Sequence, residues 1–195
     1  MKVLLVEHHA QLEVWTVGHS TRSSAEFIQI LKSFEIATLV DIRTYPGSRR
    51  YPQFNQAELS ASLEGAGIQY VHAPDLGGRR RARKDSTNIA WRNQQFRGYA
   101  DYMETQEFRE AIAELLKLAQ KKRTAIMCAE AVWWRCHRSL VSDYLKAAGI
   151  VVNHILTEKK SELHPYTSAA ALINGELSYK GLLSEPPAVA SGLFD

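Results

Sequence analysis

Between residues 128 and 138 the chain reads Cys128-Ala129-Glu130-Ala131-Val132-Trp133-Trp134-Arg135-Cys136-His137-Arg138, its densest run of reactive side chains. Four kinds of chemistry are open to it. In the first, Cys128 or Cys136 attacks an electrophile with a histidine as base. A cysteine at a strand-to-helix turn meets the unpaired N–H groups and partial positive charge of the helix that follows, which favours the reactive thiolate. Arg135, Arg138 and His137 act in the same direction and Glu130 opposes them. In the second, the cysteines, His137 and other histidines hold zinc. The spacing disfavours that reading: seven residues separate the cysteines and no second Cys/His pair is near, which matches no common zinc module. In the third, the two sulfurs form a redox pair, provided they approach within disulfide range, although there is no Cys-x-x-Cys. In the fourth, Cys128 is a small buried hydrophobe and Glu130 pairs with Arg138 or Arg43 to brace the turn. A phosphatase-type loop, with arginine six positions after the cysteine, is excluded. Six on from Cys128 stands Trp134, and six on from Cys136 stands Ser142.

Other polar clusters punctuate the first half of the chain. Gly18-His19-Ser20-Thr21-Arg22 offers a glycine, several donors and a guanidinium, enough to cradle an anion at a helix start. Equally, Ser20, Thr21 and Ser23 serve as helix caps. The turn lacks the glycine pattern of a dinucleotide loop or a P-loop, so it carries no NAD or ATP motif. Asp41 and Arg43, two apart, fall on one face of a regular strand and can pair with each other or across the sheet edge. Ser48-Arg49-Arg50 lies among Tyr45, Tyr51 and Phe54, a mixture of charge and aromatic rings suited to nucleic acid. Arg79 to Lys84 adds five positive charges in six residues, favourable for phosphate and equally compatible with a solvated loop.

These residues need elements to position them, and the hydrophobic periodicity supplies a sequence of strands and helices. Val14–Val17 reads as a first strand. Ser23 and Glu26 have capping-box spacing ahead of a helix over 24–35. Strands follow at 38–43, 68–72, 124–128 and 150–155. Helices are expected near 55–67 (capped by Asn55 and Glu58), at 91–103, at 106–121 and from 137 to Gly149. The stretch 74–90 is irregular, and at that length a loop is functional or mobile. A hairpin is expected at Asn174-Gly175. Strands alternating with helices imply an α/β fold: a three-layer α/β/α arrangement around a mainly parallel sheet of about five strands. In such sheets ligands bind beyond the carboxyl ends of the strands. His19, Asp41, Arg43, His72, Cys128, Glu130 and His154 then share one rim.

Composition bounds the remaining possibilities. The chain has 195 residues, 45% hydrophobic and 23% charged, with a net charge of +3 and two cysteines. That suits one α/β domain over 1–156, with a core at 13–156, and a C-terminal hairpin and tail over 157–195. The apolar runs are too short for a membrane span. The start, Met1 to His9, is too short and too polar for a secretory leader. A reducing cytoplasm is therefore the expected location.

As a set and in this order, Gly18-His19-Ser20-Thr21-Arg22, Asp41-Ile42-Arg43, Pro46-Gly47-Ser48-Arg49, Leu76-Gly77-Gly78, Cys128-Ala129-Glu130 and Cys136-His137-Arg138 resemble family 488 of the domains of unknown function. The resemblance runs from about 14 to 156, and His164-Pro165-Tyr166-Thr167 and Gly175-Glu176-Leu177-Ser178-Tyr179 resemble the tail of its longer members. It implies a bacterial or archaeal α/β protein and assigns no reaction.

The combined expectation is an enzyme taking an anionic substrate, a phosphate-bearing small molecule, nucleotide or nucleic acid, at the carboxyl rim. Cys128, Glu130 and His19 are its candidate catalytic residues. Arg22, Arg43, Ser48, Arg49, Cys136, His137 and Arg138 are its candidate anion-binding residues, and no metal site or membrane partner is expected. The alternative is a non-catalytic nucleic-acid-binding module using the basic loops 45–54 and 79–84.

Overall fold

A computed structural model describes residues 11–181; the initial Met1–His9 run and the tail beyond 181 lie outside the described residues. The β-rich runs form β1 (Glu13–Gly18), β2 (Thr38–Asp41), β3 (Gln69–His72), β4 (Thr124–Cys128) and β5 (Val151–Thr157). Between them lie α1 (Ser24–Ser33), α2 (Gln56–Gly65), α3 (Gln94–Met103), α4 (Gln106–Lys121) and α5 (Arg138–Ala147). The capping box at the start of α1 is present, with Ser23 Oγ accepting from Glu26 N and the Glu26 carboxylate accepting from Ser23 N. Thr105 caps α4 with its side chain alone, accepting from Phe108 N.

Side chains alternate across the strands, so each strand feeds two cores. Val14, Val40, Ile42, Ile126 and Val152 pack with Tyr99, Phe108, Ile112, Leu140 and Leu145 from α3, α4 and α5. Trp15, Val17, Leu39, Ala125 and Met127 pack on the other face with Phe27, Leu31, Leu59 and Leu63 from α1 and α2. A sheet buried on both faces reads as nearly continuous apolar runs, which is why β2 and β4 are so legible. The fold is thus α/β with three layers.

The sheet has six strands in the order β3-β2-β4-β1-β5-β6. The first five are parallel, and β6 (Lys160–Leu163) returns antiparallel on β5. Sequence reading did not find β6, because Lys160-Ser161-Glu162-Leu163 is a polar edge strand with no buried face to pattern. The hairpin at Asn174-Gly175 is present, joining β7 (Ala171–Ile173) to β8 (Glu176–Ser178), and both turn residues have positive φ. Among the described residues, no helix is long and apolar enough to cross a membrane.

Three local expectations change. Asn55 begins α2 without capping it; its Oδ1 accepts from Ser48 N at 2.7 Å and ties down the 45–52 loop instead. β2 ends at Asp41, so the Asp41–Arg43 pair forms just past the strand. His154 is not on the rim, because β5 runs on to Thr157 and leaves it inside the molecule, 1% exposed.

There it belongs to a buried polar chain. His154 Nδ1 lies 2.7 Å from Thr16 Oγ1, its Nε2 lies 2.8 Å from His164 Nδ1, and His164 Nε2 lies 2.9 Å from Asp143 Oδ1. Asp143 also accepts from Thr167 N, the Thr167 hydroxyl and the Tyr179 hydroxyl. The chain stitches the segment after β6 to α5 and the sheet. Trp133 stacks on the His154 ring at 4.3 Å and donates its indole N–H to Glu162.

Burial, then the charges of His164 and Arg138, press the His154 pKa down to about 2. The folded protein therefore keeps this ring neutral where the unfolded chain, with an ordinary histidine pKa of about 6.5, takes up a proton. The associated stability is complete above pH 6.5 and is lost as the pH falls from there toward 2. Urea unfolding measured between pH 6.5 and 4 should show stability falling with a contribution from this one proton of up to about 1.4 kcal/mol per pH unit. His154→Asn should flatten that slope whatever its constant cost in stability. An unchanged slope would show that the ring does not remain neutral in the fold.

Candidate functional site

Parallel pairing sets β1 beside β4, with Gly18 opposite Cys128. The pairing continues past the strand ends: His19 N donates to Cys128 O at 3.0 Å and Ser20 N to Ala129 O at 2.9 Å. Gly18 is required by close approach, since a Cβ there would lie 1.9 Å from Glu130 O. The turn after β1 and the turn after β4 are thus laid against each other. Beyond them, at the carboxyl ends of β1, β2 and β4, opens a cleft of about 750 Å³.

His19, Arg43, Ser48, Cys128, Glu130, Cys136 and His137, all singled out in the sequence, line this one cleft. Arg22, Arg49 and Arg138 are not among its lining residues. Arg22 donates to Gly18 O at 2.6 Å and to Leu156 O at 3.0 Å, holding the β1 turn to the end of β5. Arg49 is exposed on the neighbouring loop. Arg138, 1% exposed, donates to Thr16 Oγ1 and to the carbonyl of Glu130. The Glu130 main chain, rather than its carboxylate, is what Arg138 grips, and the carboxylate stays exposed.

The buried part of the cleft is a cluster of sulfur and nitrogen. Cys128 ends β4, and Cys136 and His137 stand immediately before α5. His137 Nδ1 lies 3.6 Å from Cys136 Sγ and 4.0 Å from Cys128 Sγ, and the donor atoms of all three residues lie within 4.8 Å of one another. Both cysteines are free and buried. The hydrogen bond with Cys128 pulls the Cys136 thiol well below its usual range, with His137 and Arg138 acting the same way against burial. Its counterpart, with burial, pushes the Cys128 thiol up. The backbone of Gly78 closes over the imidazole: a Cβ at that position would fall 2.4 Å from Nδ1. His137 Nε2 is buried and has no hydrogen-bond partner among the described residues.

Next to the cluster lies a buried ion pair. The Arg43 fork donates to both oxygens of Asp41, with Nε 2.8 Å from Oδ1, and its Nη2 also donates to Phe54 O. Tyr70 donates its hydroxyl to Asp41 Oδ2 at 2.8 Å. Burial works against the Arg43 cation, yet the hydrogen bonds and charge of Asp41 outweigh it and raise its pKa. Arg43 Nη1 points at His19 Nε2, 3.3 Å away, while His19 Nδ1 lies 2.9 Å from Ser20 O. An arginine only donates, so His19 carries its proton on Nδ1 and accepts at Nε2. Burial and the Arg43 charge press its pKa down to about 4, so it is neutral near pH 7.

The exposed part of the cleft mixes cations and rings. Arg79 and Arg135 line it, and so does Tyr45, 70% exposed, with the Arg79 guanidinium 5.6 Å from its ring centre. Gln95 and Phe96, at the start of α3, complete one wall. Sequence reading missed these last two, which carry no motif and enter the site only because α3 packs beside the cleft. It also missed why Gly78 is a glycine; the Gly77-Gly78 pair was the available signal. The rest of the basic loop is partly committed to the fold. Arg80 lies 3.6 Å from the Tyr102 ring centre, and Arg83 pairs with Glu104 at 2.6 Å.

The family model for Domain of unknown function DUF488 matches residues 23–145. No curated protein and no solved structure matches the chain. The matched span begins at the cap of α1 and ends inside α5, so it takes in the cysteine turn and the cleft loops after β2 and β3 and leaves out β1 and the turn that follows it.

Breaking the Asp41–Arg43 pair from one side should be costly, because a buried guanidinium is left without its carboxylate. Asp41→Ala should lower the unfolding free energy in urea by about 3–5 kcal/mol, and Asp41→Ala combined with Arg43→Met should regain much of that loss. A loss in the double variant equal to the sum of the losses in Asp41→Ala and Arg43→Met alone would mean that the pair adds nothing beyond its separate side chains.

Proposed function

The chain belongs to the DUF488 family, and from that premise and the make-up of the cleft we propose that the protein is a cytoplasmic enzyme acting on an anionic substrate that carries a base, a nucleotide or nucleic-acid segment. The reactive centre is the cluster of Cys128, Cys136 and His137. Arg79 and Arg135 meet the phosphate, and the neutral His19 and the Glu130 carboxylate are the groups placed to move a proton. Tyr45 offers a flat face at the cleft mouth, and stacking of a base on an aromatic ring is worth about 1–3 kcal/mol. The observation that carries this reading is the burial of two thiols and an imidazole at the bottom of a cleft whose mouth is cationic and aromatic. Perturbed, partly desolvated groups in such a cleft are the usual mark of a catalytic site.

Arg43 is given a different part from the one its type suggests. Its charge is already neutralised by Asp41, so it orients His19 and shapes the cleft wall rather than attracting the substrate from solution.

A second reading, a non-catalytic nucleic-acid-binding module, draws on the cation-rich surface formed by Tyr45, Arg50, Tyr51 and Arg79. It uses the same loops but gives no part to the buried sulfurs.

Calorimetric titration separates the two. Adenosine 5′-monophosphate should bind more tightly than inorganic phosphate, and Tyr45→Ala should weaken the nucleotide about tenfold while leaving phosphate binding unchanged. Arg79→Ala should weaken both ligands. Absence of mononucleotide binding together with steeply salt-dependent binding of a single-stranded oligonucleotide would favour the module. Absence of binding to all three would overturn both readings.

A further inference from the structure

We infer that Cys128, Cys136 and His137 form a three-ligand site for a zinc-class divalent ion, with its fourth position open to the cleft. The inference deepens the proposed reading of the same cleft and makes the sulfurs ligands rather than nucleophiles.

The geometry is the first argument. Bond lengths of about 2.3 Å to sulfur and about 2.0–2.1 Å to nitrogen place the corners of a tetrahedral site about 3.6 Å apart for sulfur–nitrogen and about 3.8 Å for sulfur–sulfur. The two sulfur–nitrogen separations are 3.6 and 4.0 Å, and all three donor atoms lie within 4.8 Å of one another. A hydrogen-bonded Cys–His pair needs one sulfur near the nitrogen. Here a single nitrogen faces two sulfurs, the arrangement of ligands around a common centre.

Donor chemistry is the second. Two thiols and an imidazole are soft and borderline ligands, which select zinc and similar ions over calcium or magnesium. Two cysteines and one histidine, with water or substrate in the fourth place, is a known catalytic zinc arrangement. All three residues line the cleft, so the remaining corner has access to a ligand.

Rigidity is the third. Cys128 is fixed by β4 in the middle of the sheet, and Cys136 and His137 by the start of α5. Cys136 N donates to Trp133 O at 3.1 Å, which sets the short turn bringing it back to Cys128. Gly78 lies too close to the imidazole for any side chain to fit between them, and Tyr99 packs beside the ring with ring centres 5.1 Å apart. The three ligands are therefore held in place without the ion. The sequence hides the site because its ligands are brought together by a strand, a loop and a helix start instead of a compact zinc loop.

Protein purified under reducing conditions without added metal should contain one zinc ion per chain by plasma mass spectrometry. After stripping with dipicolinate, cobalt(II) should bind with the thiolate charge-transfer absorption and strong visible bands of a tetrahedral site, releasing protons as the thiols ionise. Azide should shift the visible bands, because the fourth corner is open. Cys136→Ser and His137→Ala should weaken cobalt uptake at least about tenfold, and Gly78→Ala, which displaces the ring without removing a ligand, should also weaken it. Reduced, stripped wild-type protein that takes up neither zinc nor cobalt, or takes up cobalt without thiolate bands, would overturn the site. So would uptake equal to wild type in a Cys128→Ser, Cys136→Ser double variant. Adenosine 5′-monophosphate titrated into the stripped protein separates this inference from the one it rests on. Nucleotide binding without metal uptake removes the metal site alone, whereas metal uptake without nucleotide binding removes the substrate reading alone.

Discussion

The molecule is organised around the place where β1 and β4 stop. Their parallel pairing would end at Gly18 and Cys128, but two more main-chain hydrogen bonds, from His19 and Ser20 to the carbonyls of Cys128 and Ala129, carry it into the turns. Only a glycine permits this, because any side chain at Gly18 would run into the carbonyl of Glu130. That same carbonyl accepts from Arg138, whose guanidinium reaches back to Thr16 on β1. One peptide group is thus held between a strand end and a buried helix-start arginine. The cysteine turn has little freedom as a result, and residues far apart in sequence meet at fixed separations.

The fold was legible for a simple physical reason. The central strands β1, β2 and β4, buried on both faces, are mostly apolar, and the helices between the strands show a stripe, so both patterns are written in residue type. The polar edge strand β6 has neither pattern and was invisible. The rim was legible too, because strands that run in parallel must end on the same side; His19, Arg43, Cys128 and Glu130 were placed together by that rule. What could not be read was the use to which each polar group is put. Arg22 and Arg138 look like anion binders in sequence, yet their hydrogen bonds go to main-chain carbonyls and a threonine hydroxyl. Asn55 looks like a cap and instead holds a loop. Side chains with several donors or acceptors find partners that depend on three-dimensional proximity, about which residue type is silent.

The C-terminal part of the described chain is joined to the site through polar contacts as well as apolar ones. Trp133, in the loop between the two cysteines, stacks on His154 and donates to Glu162 on β6. His154 leads through His164 to Asp143 on α5, where Thr167 and Tyr179 also converge. A buried carboxylate with several donors fixes a geometry more narrowly than an apolar contact of the same area, because misplacing any partner leaves a desolvated group unpaired. The segment after β5 is therefore a support for the cysteine loop from behind.

The two buried arginines near the cleft differ in a way that bears on its chemistry. Arg43 is matched by Asp41, so the pair contributes almost no net charge. Arg138 has no carboxylate within salt-bridge range among the described residues, and its Nε lacks a hydrogen-bond partner. A cation buried without a counter-charge is costly, so the surroundings must supply negative charge in another form. The carbonyls of Glu130 and Ala131 supply part of it as dipoles. Sulfur takes part as well: the Arg138 charge is among the causes that lower the Cys136 thiol, whereas the Cys128 thiol is pushed up by its hydrogen bond with Cys136 and by burial in spite of it. Arg138 thus acts on the cleft without lining it, by favouring the thiolate of Cys136, and one sulfur that gives up its proton readily is the starting point for either a metal ligand set or a sulfur nucleophile.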